Sequence, residues 1–197
     1  MKFVLATRNS HKATELKRIL EVLELECELF TVADFPGAPE VEETEHTFEG
    51  NALLKARALA KFTGLAAIAD DSGLCVDALD GNPGVLSARW SGASENVDQA
   101  NLELVLEQIK DVTAENRGAN FVCVAVAVFP DGTELVAIGE MYGNLLDAPT
   151  GENGFGYDPI FVPTGFSKTT AEMSASEKDS ISHRGKALRD LALKIRG

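Results

Sequence analysis

The sequence is short of cysteine and lacks any paired spacing of it. Cys27, Cys75 and Cys123 are odd in number, far apart and without a Cys-x-x-Cys pair, a pattern that supports neither a disulfide framework nor a structural zinc site. They read as small core residues in a reducing compartment. Cations are also scarce: 18 Lys and Arg stand against 31 Asp and Glu, for a formal net charge of -13. Binding to a nucleic-acid backbone or an acidic membrane surface needs a concentrated basic surface, so this balance argues against both partners. A small anionic ligand stays open, provided cations cluster locally or a metal is recruited. No apolar run could span a bilayer, and the apolar part of Met1 to Ala6 is too short for a signal peptide, so a cytoplasmic protein is expected. Internal repeats, low-complexity tracts and clear linkers are missing too. What is there is 197 residues at 45% hydrophobic composition, enough to bury a substantial core in one domain over 1–197, with room for two lobes around a cleft.

Taken in order, Lys2 to Ala6 reads as a short apolar strand. The polar string Thr7-Arg8-Asn9-Ser10-His11-Lys12 follows, and then a helical period through Leu16, Ile19, Leu20 and Leu23. Strand, polar loop and helix in that order place Thr7, Asn9 and Lys12 where open α/β sheets bind ligands and where helix N-termini favour anions. Simple capping by Asn9 or Ser10 beside a solvated lysine explains the same string. It is not a Walker loop, because the Gly-x-x-x-x-Gly-Lys pattern is absent. Glu26 to Val32 alternates as a second strand, and an acidic connection around Glu40 to Glu45 leads to Thr47, which can cap a helix with apolar positions Phe48, Ala52, Leu53, Ala56, Leu59 and Ala60. Lys55, Arg57 and Lys61 then fall on or beside its polar face and read mostly as solubilising.

Leu65 to Ala69 reads as a buried strand that ends in Asp70-Asp71-Ser72-Gly73. Two adjacent carboxylates resist burial, so they either form a wet turn or have a use for their charge, such as holding a hard cation or taking a proton. Leu74 to Val76 and a turn at Gly81 to Gly84 come next, then an amphipathic helix over Glu95 to Ile109. Ala119 to Phe129 and Glu134 to Met141, joined at Pro130-Asp131-Gly132, make a hairpin, so the sheet is expected to be mixed. Gly154-Phe155-Gly156-Tyr157-Asp158-Pro159 interleaves glycines with aromatics. That suits a long turn with Phe155 tucked into the core, or a face on which a base can stack. Glu172 to Lys178 reads as a short helix. Ser182 can cap a last helix burying Ala187, Leu188, Leu191 and Ile195. Its first turn carries His183, Arg184 and Lys186 against the helix dipole, which suits an electron-rich ligand.

Acids at Glu43, Asp70 and Asp71, cations at Lys12 and Lys55, and an aromatic-glycine loop with a cationic cap together complement a nucleoside triphosphate with magnesium. A carboxylate beside such a metal can take the proton of an attacking water. Thr7-x-Asn9-x-x-Lys12, Glu43-Thr44 with Thr47-Phe48-x-x-Asn51-Ala52-x-x-Lys55-Ala56, Ala69-Asp70-Asp71-Ser72-Gly73-Leu74, Gly154 to Pro159, and Ser182-His183-Arg184-Gly185 resemble, in this order, the inosine triphosphate pyrophosphatase (Ham1-like) family. The resemblance implies an α/β fold, an elongated mixed β-sheet flanked by helices with the active cleft between two lobes. It implies hydrolysis of ITP, dITP and XTP to the monophosphate and pyrophosphate, with Mg2+, in a homodimer.

By position, the resemblance also implies a proton acceptor and metal ligand at Asp71, a second metal ligand at Glu43 and a substrate contact at Ser72. It implies phosphate binding at Thr7, Arg8, Asn9, Ser10, His11, Lys12 and Lys55. Nucleoside binding falls to Phe155, Gly156, Tyr157, Asp158, Lys178, His183 and Arg184. Asp70 is a further candidate metal ligand whose role stays open, because neighbouring strand residues point to opposite faces. The rival class is a nucleotide-sensing protein that keeps the pocket without chemistry.

Overall fold

The structure, a computed structural model, describes residues 1–22 and 28–197. In chain order the elements are β1 (Lys2–Leu5), α1 (Ser10–Val22), β2 (Glu28–Thr31), α2 (Phe48–Thr63), β3 (Ala66–Val76), α3 (Val97–Gln108), β4 (Gly118–Val128), β5 (Glu134–Leu145), β6 (Phe161–Pro163), α4 (Ala175–Ile181) and α5 (His183–Arg196). The sheet order is β2-β1-β3-β4-β5-β6. β1 pairs in parallel with β2 and β3, whereas β5 and β6 are antiparallel, so the sheet is mixed as its hairpin implied. Among the described residues no helix is long and apolar enough to cross a membrane.

The chain divides into two compact units, Met1–Asp71 with Cys123–Gly139 and Arg184–Gly197, and Ser72–Val122 with Glu140–His183. In the first unit each strand sorts its side chains by parity, because successive residues of an extended chain point to opposite faces. Phe3 and Leu5 of β1, Ala66 and Ile68 of β3 and Cys123, Ala125 and Ala127 of β4 share a cluster with Leu16, Ile19 and Leu20 of α1 and Ala187, Leu188 and Leu191 of α5. Val4, Ala67, Ala69, Val124, Val126 and Val128 face the other way and pack on Ala52, Leu53, Ala56, Leu59 and Ala60 of α2. One face of this sheet therefore belongs to α1 and α5, the other to α2. The second unit has a core of its own: Leu74 and Val76 of β3, Phe121 of β4 and Met141 and Leu145 of β5 pack with Leu102 and Val105 of α3 and with Phe161. The Phe121 and Phe161 rings lie 4.7 Å apart.

Local chemistry sets the helix bounds. Thr47 accepts a hydrogen bond from the Gly50 N–H at 3.0 Å and so caps α2 as expected. Gly64 ends it at φ 69°, a left-handed conformation that glycine takes without penalty. Asn96 at φ 48° keeps α3 from beginning at Glu95. The short helix expected over Glu172 to Lys178 is instead a single turn at Thr170–Glu172 followed by α4, whose start is set by Ser174 accepting from the Glu177 N–H at 3.2 Å. β2 covers Glu28–Thr31, and Val32 already begins a single-turn helix. Leu23, Glu26 and Cys27 lie outside the described residues.

The largest departure from the sequence reading concerns the acids. The strand does not stop at Ala69; β3 runs unbroken through Asp70, Asp71, Ser72 and Gly73 to Val76, with both carboxylates buried. Partners on the flanking helices remove the electrostatic reason for the strand to end.

Unit one is expected to depend on this two-sided packing. Ile68→Ala, at a fully buried position, should lower unfolding free energy by about 2–5 kcal/mol in urea titration. Leu193→Ala, 65% exposed on α5, should stay within about 0.5 kcal/mol. Equal losses at the two sites would contradict the packing described.

Candidate active site

The parity that builds the core also separates the two acids. Asp70 follows Ile68 onto the face of α1 and α5, and Asp71 follows Ala69 onto the face of α2. On the α2 side, Asn51 and Lys55 are one turn apart and so point the same way. Asn51 Nδ2 donates to Asp71 Oδ2 at 3.3 Å, and Lys55 Nζ lies 3.5 Å from Asp71 Oδ1 and 2.8 Å from Glu43 Oε1. The Asn51 side chain also accepts from the Glu45 N–H at 3.0 Å, which fastens the acidic loop carrying Glu43 to the helix. Asn51 is fully buried and was not among the sequence-derived site residues. Its signal was there: an amide four residues before Lys55 on a helix face otherwise made of alanine and leucine.

On the other face, Asp70 Oδ2 meets Arg184 Nε at 3.3 Å and Lys12 Nζ at 3.5 Å. A second guanidinium nitrogen of Arg184, Nη1, pairs with Glu15. The first-turn cation of α5, which opposes the helix dipole in sequence, is thus offset by two carboxylates packed against it. Glu15, also absent from the sequence-derived set, is a buried acid on α1 that spacing alone did not single out.

Burial and charge move the titrations in opposite ways. Burial pushes the Asp71 carboxyl above the ordinary carboxylate range, helped by Glu43 and Asp70 and opposed by Lys55 and Lys12. For Lys55, burial disfavours the charge, but attraction from Asp71, Asp70 and Glu43 outweighs it and the net shift is upward. Arg184 behaves alike: burial opposes its charge, and Asp70 and Glu15 raise it further above its ordinary value.

The loop after β1 caps α1, as expected of Asn9. Asn9 Oδ1 accepts from the Lys12 N–H at 3.1 Å and caps α1, while Thr7 Oγ1 accepts from the Asn9 N–H at 3.3 Å. Arg8 donates to the Ala38 carbonyl at 3.0 Å. Ser10 and His11 are exposed, and Ser72 is half-buried.

Among the predicted nucleoside residues of the second unit, Phe155, Asp158 and Lys178 are bonded to one another. Asp158 accepts from the Phe155 N–H at 2.9 Å, from Lys178 Nζ at 2.6 Å and from Thr170 Oγ1 at 2.7 Å. Gly154 has φ 76°, and a Cβ there would strike the Asp158 carboxylate, so both backbone shape and space require glycine. The Lys178 ammonium lies 5.2 Å from the centre of the Phe155 ring. Gly156 N–H donates to Asp98 at 3.0 Å. Tyr157 is buried and donates to the Ser87 carbonyl at 2.9 Å, and burial, with Asp98 adding, raises its hydroxyl above the ordinary range. His183 is buried in a stack on Phe121, ring centres 4.8 Å apart.

Among the described residues, no group of three or more His, Cys, Asp and Glu side chains is placed to hold a metal ion. Glu43 and Asp71 nevertheless converge on one cation, the Lys55 ammonium, with hard oxygen ligands. Two carboxylates with the remaining oxygens left to phosphate and water suit magnesium, which keeps several waters and is seldom caged by protein alone.

Fold and site define an α/β protein with a carboxylate–lysine centre at a strand flanked by helix faces. Comparison with known proteins is more specific. The model of the Ham1 family matches residues 3–194. A dITP/XTP pyrophosphatase of Streptomyces avermitilis is 53% identical over 195 residues, covering 99% of this chain and 97% of its own. The Ham1 protein structure from Staphylococcus aureus superposes with a TM-score of 0.88 at 40% identity, covering 100% of this chain and 99% of that one. The nucleoside-triphosphatase / dITP/XTP pyrophosphatase structure from Mycobacterium abscessus gives a TM-score of 0.79 at 51% identity, covering 97% and 98%. The chain belongs to the Ham1 family, as its motifs implied.

Two outcomes test this geometry. Arg184→Met strands Asp70 and Glu15 without their shared cation and should cost about 3–5 kcal/mol of stability in denaturant titration. In the metal-free protein, the Asp71 carboxyl should titrate by carbon-detected NMR above the ordinary value of about 3.9. Lys55→Met removes an attraction that lowers that titration, so it should move the midpoint higher still; a downward move would contradict the arrangement.

Proposed function

We propose that this chain hydrolyses the non-canonical purine nucleoside triphosphates dITP, XTP and ITP to the nucleoside monophosphate and pyrophosphate, removing them from the nucleotide pool. The observation that carries the reading is the convergence of Glu43, Lys55 and Asn51 on Asp71, in a chain that matches named dITP/XTP pyrophosphatases along nearly all of its length. The overall reaction consumes one water: the anhydride between the α- and β-phosphates breaks, and the two products share the oxygen and protons of that water.

Asp71 is the proton acceptor. Burial raises its titration above the ordinary carboxylate value, a shift in the direction that strengthens a base, and Lys55 and Lys12 oppose that rise. Asn51 orients the carboxylate by donating to its second oxygen. Lys12 and Lys55 bring positive charge to the phosphates, and the amides following Thr7 at the start of α1 add donors suited to an anion. Two carboxylates and one ammonium at Glu43, Asp71 and Lys55 sum to one negative charge. A polyphosphate meeting that centre needs a divalent cation. Glu43 and Asp71 would hold magnesium, which when bound neutralises phosphate charge and lowers the pKa of coordinated water. The base is assigned to Phe155, Gly156, Tyr157, Asp158, Lys178, His183 and Arg184. The Phe155 ring, carried on a loop that Asp158 holds in shape, supplies the stacking surface. A magnesium-dependent homodimer working in the cytoplasm, without nucleic-acid or membrane partners, completes the reading.

Incubation of the protein with dITP and magnesium should release pyrophosphate and dIMP, and XTP and ITP should behave alike. Orthophosphate as the product would overturn the assignment, and so would a preference for dGTP or dUTP across a substrate panel. Asp71→Asn should fold by circular dichroism and lose turnover by about 100- to 10,000-fold, the range of general-base catalysis.

A further inference from the structure

We propose that Asp70 is a positioning residue that holds the Lys12 ammonium in place for phosphate, and that Arg184, itself anchored by Glu15, fixes the Asp70 carboxylate for this purpose; the role of Lys12 in this proposal rests on the hydrolase reading above. The same oxygen, Asp70 Oδ2, faces both Arg184 Nε at 3.3 Å and Lys12 Nζ at 3.5 Å. Asp70 is 1% exposed and Arg184 2%. A carboxylate so enclosed is costly to bury without a cation beside it. Arg184 supplies that cation, and it also makes a charge-assisted bond to Glu15. Glu15 and Lys12 are three residues apart on α1 and share a helix face, so the acid that anchors the arginine and the lysine held by Asp70 sit on one rigid element. Two acids and two cations leave the set neutral.

Lys12 is held at both ends. Its backbone N–H is fixed by the Asn9 cap at 3.1 Å, and its ammonium by Asp70. The side chain keeps 17% exposure, an opening through which a ligand oxygen can be met. A lysine that is free in solution loses much rotamer freedom when it captures phosphate, and a lysine already held does not. Asp71 has a separate task, since it points to the opposite face and meets Asn51 and Lys55. The adjacent acids thus serve different elements, and Asp70, whose Oδ2 faces two cations, acts through Lys12.

The test is a double-mutant cycle with two readouts. Wild type, Asp70→Asn, Lys12→Met and the double variant are compared for pyrophosphate release from dITP with magnesium. Asp70→Asn should lower kcat/KM by about tenfold, within the coupling range of contacting residues, and should add less than about twofold in the Lys12→Met background. Independent losses that multiply would overturn the proposal, because a merely structural role does not depend on which residue stands at position 12. The second readout needs no substrate: acylation of lysines by acetic anhydride, followed by peptide mass spectrometry. Asp70→Asn should speed labelling of Lys12 severalfold and leave Lys55 unchanged, and an unchanged Lys12 rate would overturn the proposal. Should the wild type release no pyrophosphate, the hydrolase reading fails, while the labelling arm still decides whether Asp70 holds Lys12. If Asp70→Asn does not fold, Asp70→Glu takes its place in both arms, keeping the charge that Arg184 requires and displacing the oxygen by one methylene.

Discussion

An extended chain must alternate its side chains, and on β3 that rule meets two acids in succession. Asp70 and Asp71 cannot share a face, so burying the strand carries one carboxylate toward α1 and α5 and the other toward α2. Each then needs its own cation, because an ionised group removed from water without a partner is costly. Arg184 and Lys12 answer on one side, Lys55 on the other. The helix faces that build the core of the first unit are therefore also the faces that carry its charge.

This arrangement uses few cations in a chain that carries a net charge of -13. Surface pairs such as Arg57 with Glu134 contribute little, being half-exposed and screened by solvent. Lys12, Lys55, Lys178 and Arg184 are different. Each is largely enclosed, and each faces a carboxylate that is itself buried or half-buried. These four cations stand where acids have been placed out of water. In the second unit Asp158 does the corresponding work, tying Phe155, Thr170 and Lys178 to one carboxylate and giving a glycine-rich loop a fixed shape.

Much of this was legible in the sequence. The apolar periods of α1, α2 and α5, the Thr47 cap and the hairpin around Asp131 follow from local rules, and those elements stand where they were expected. The end of the strand at Ala69 was read wrongly, because local rules charge two adjacent acids for burial and cannot see the helix-borne cations that offset it. The acids that meet Arg184 in the first turn of α5 are equally invisible to local rules: Glu15 is 169 residues away in sequence from the arginine it meets. Asn51 stands four residues before Lys55, a spacing that marks a shared helix face, but only packing shows that the carboxylate it meets is Asp71.

The sequence by itself determined the order and kind of the elements, the scarcity of cations and the family, since these depend on short-range periodicity, composition and motif spacing. That Asp70 and Asp71 diverge was decided by the strand running on through both of them, because a strand has only two faces. The tertiary structure alone decided which helices lie on those faces, and hence that Asp71 meets Asn51 and Lys55 while Asp70 meets Arg184 and Lys12. Contacts between residues distant in the chain depend on how whole elements pack, and packing is settled by the summed burial of the sheet's two sides, not by any one stretch of sequence.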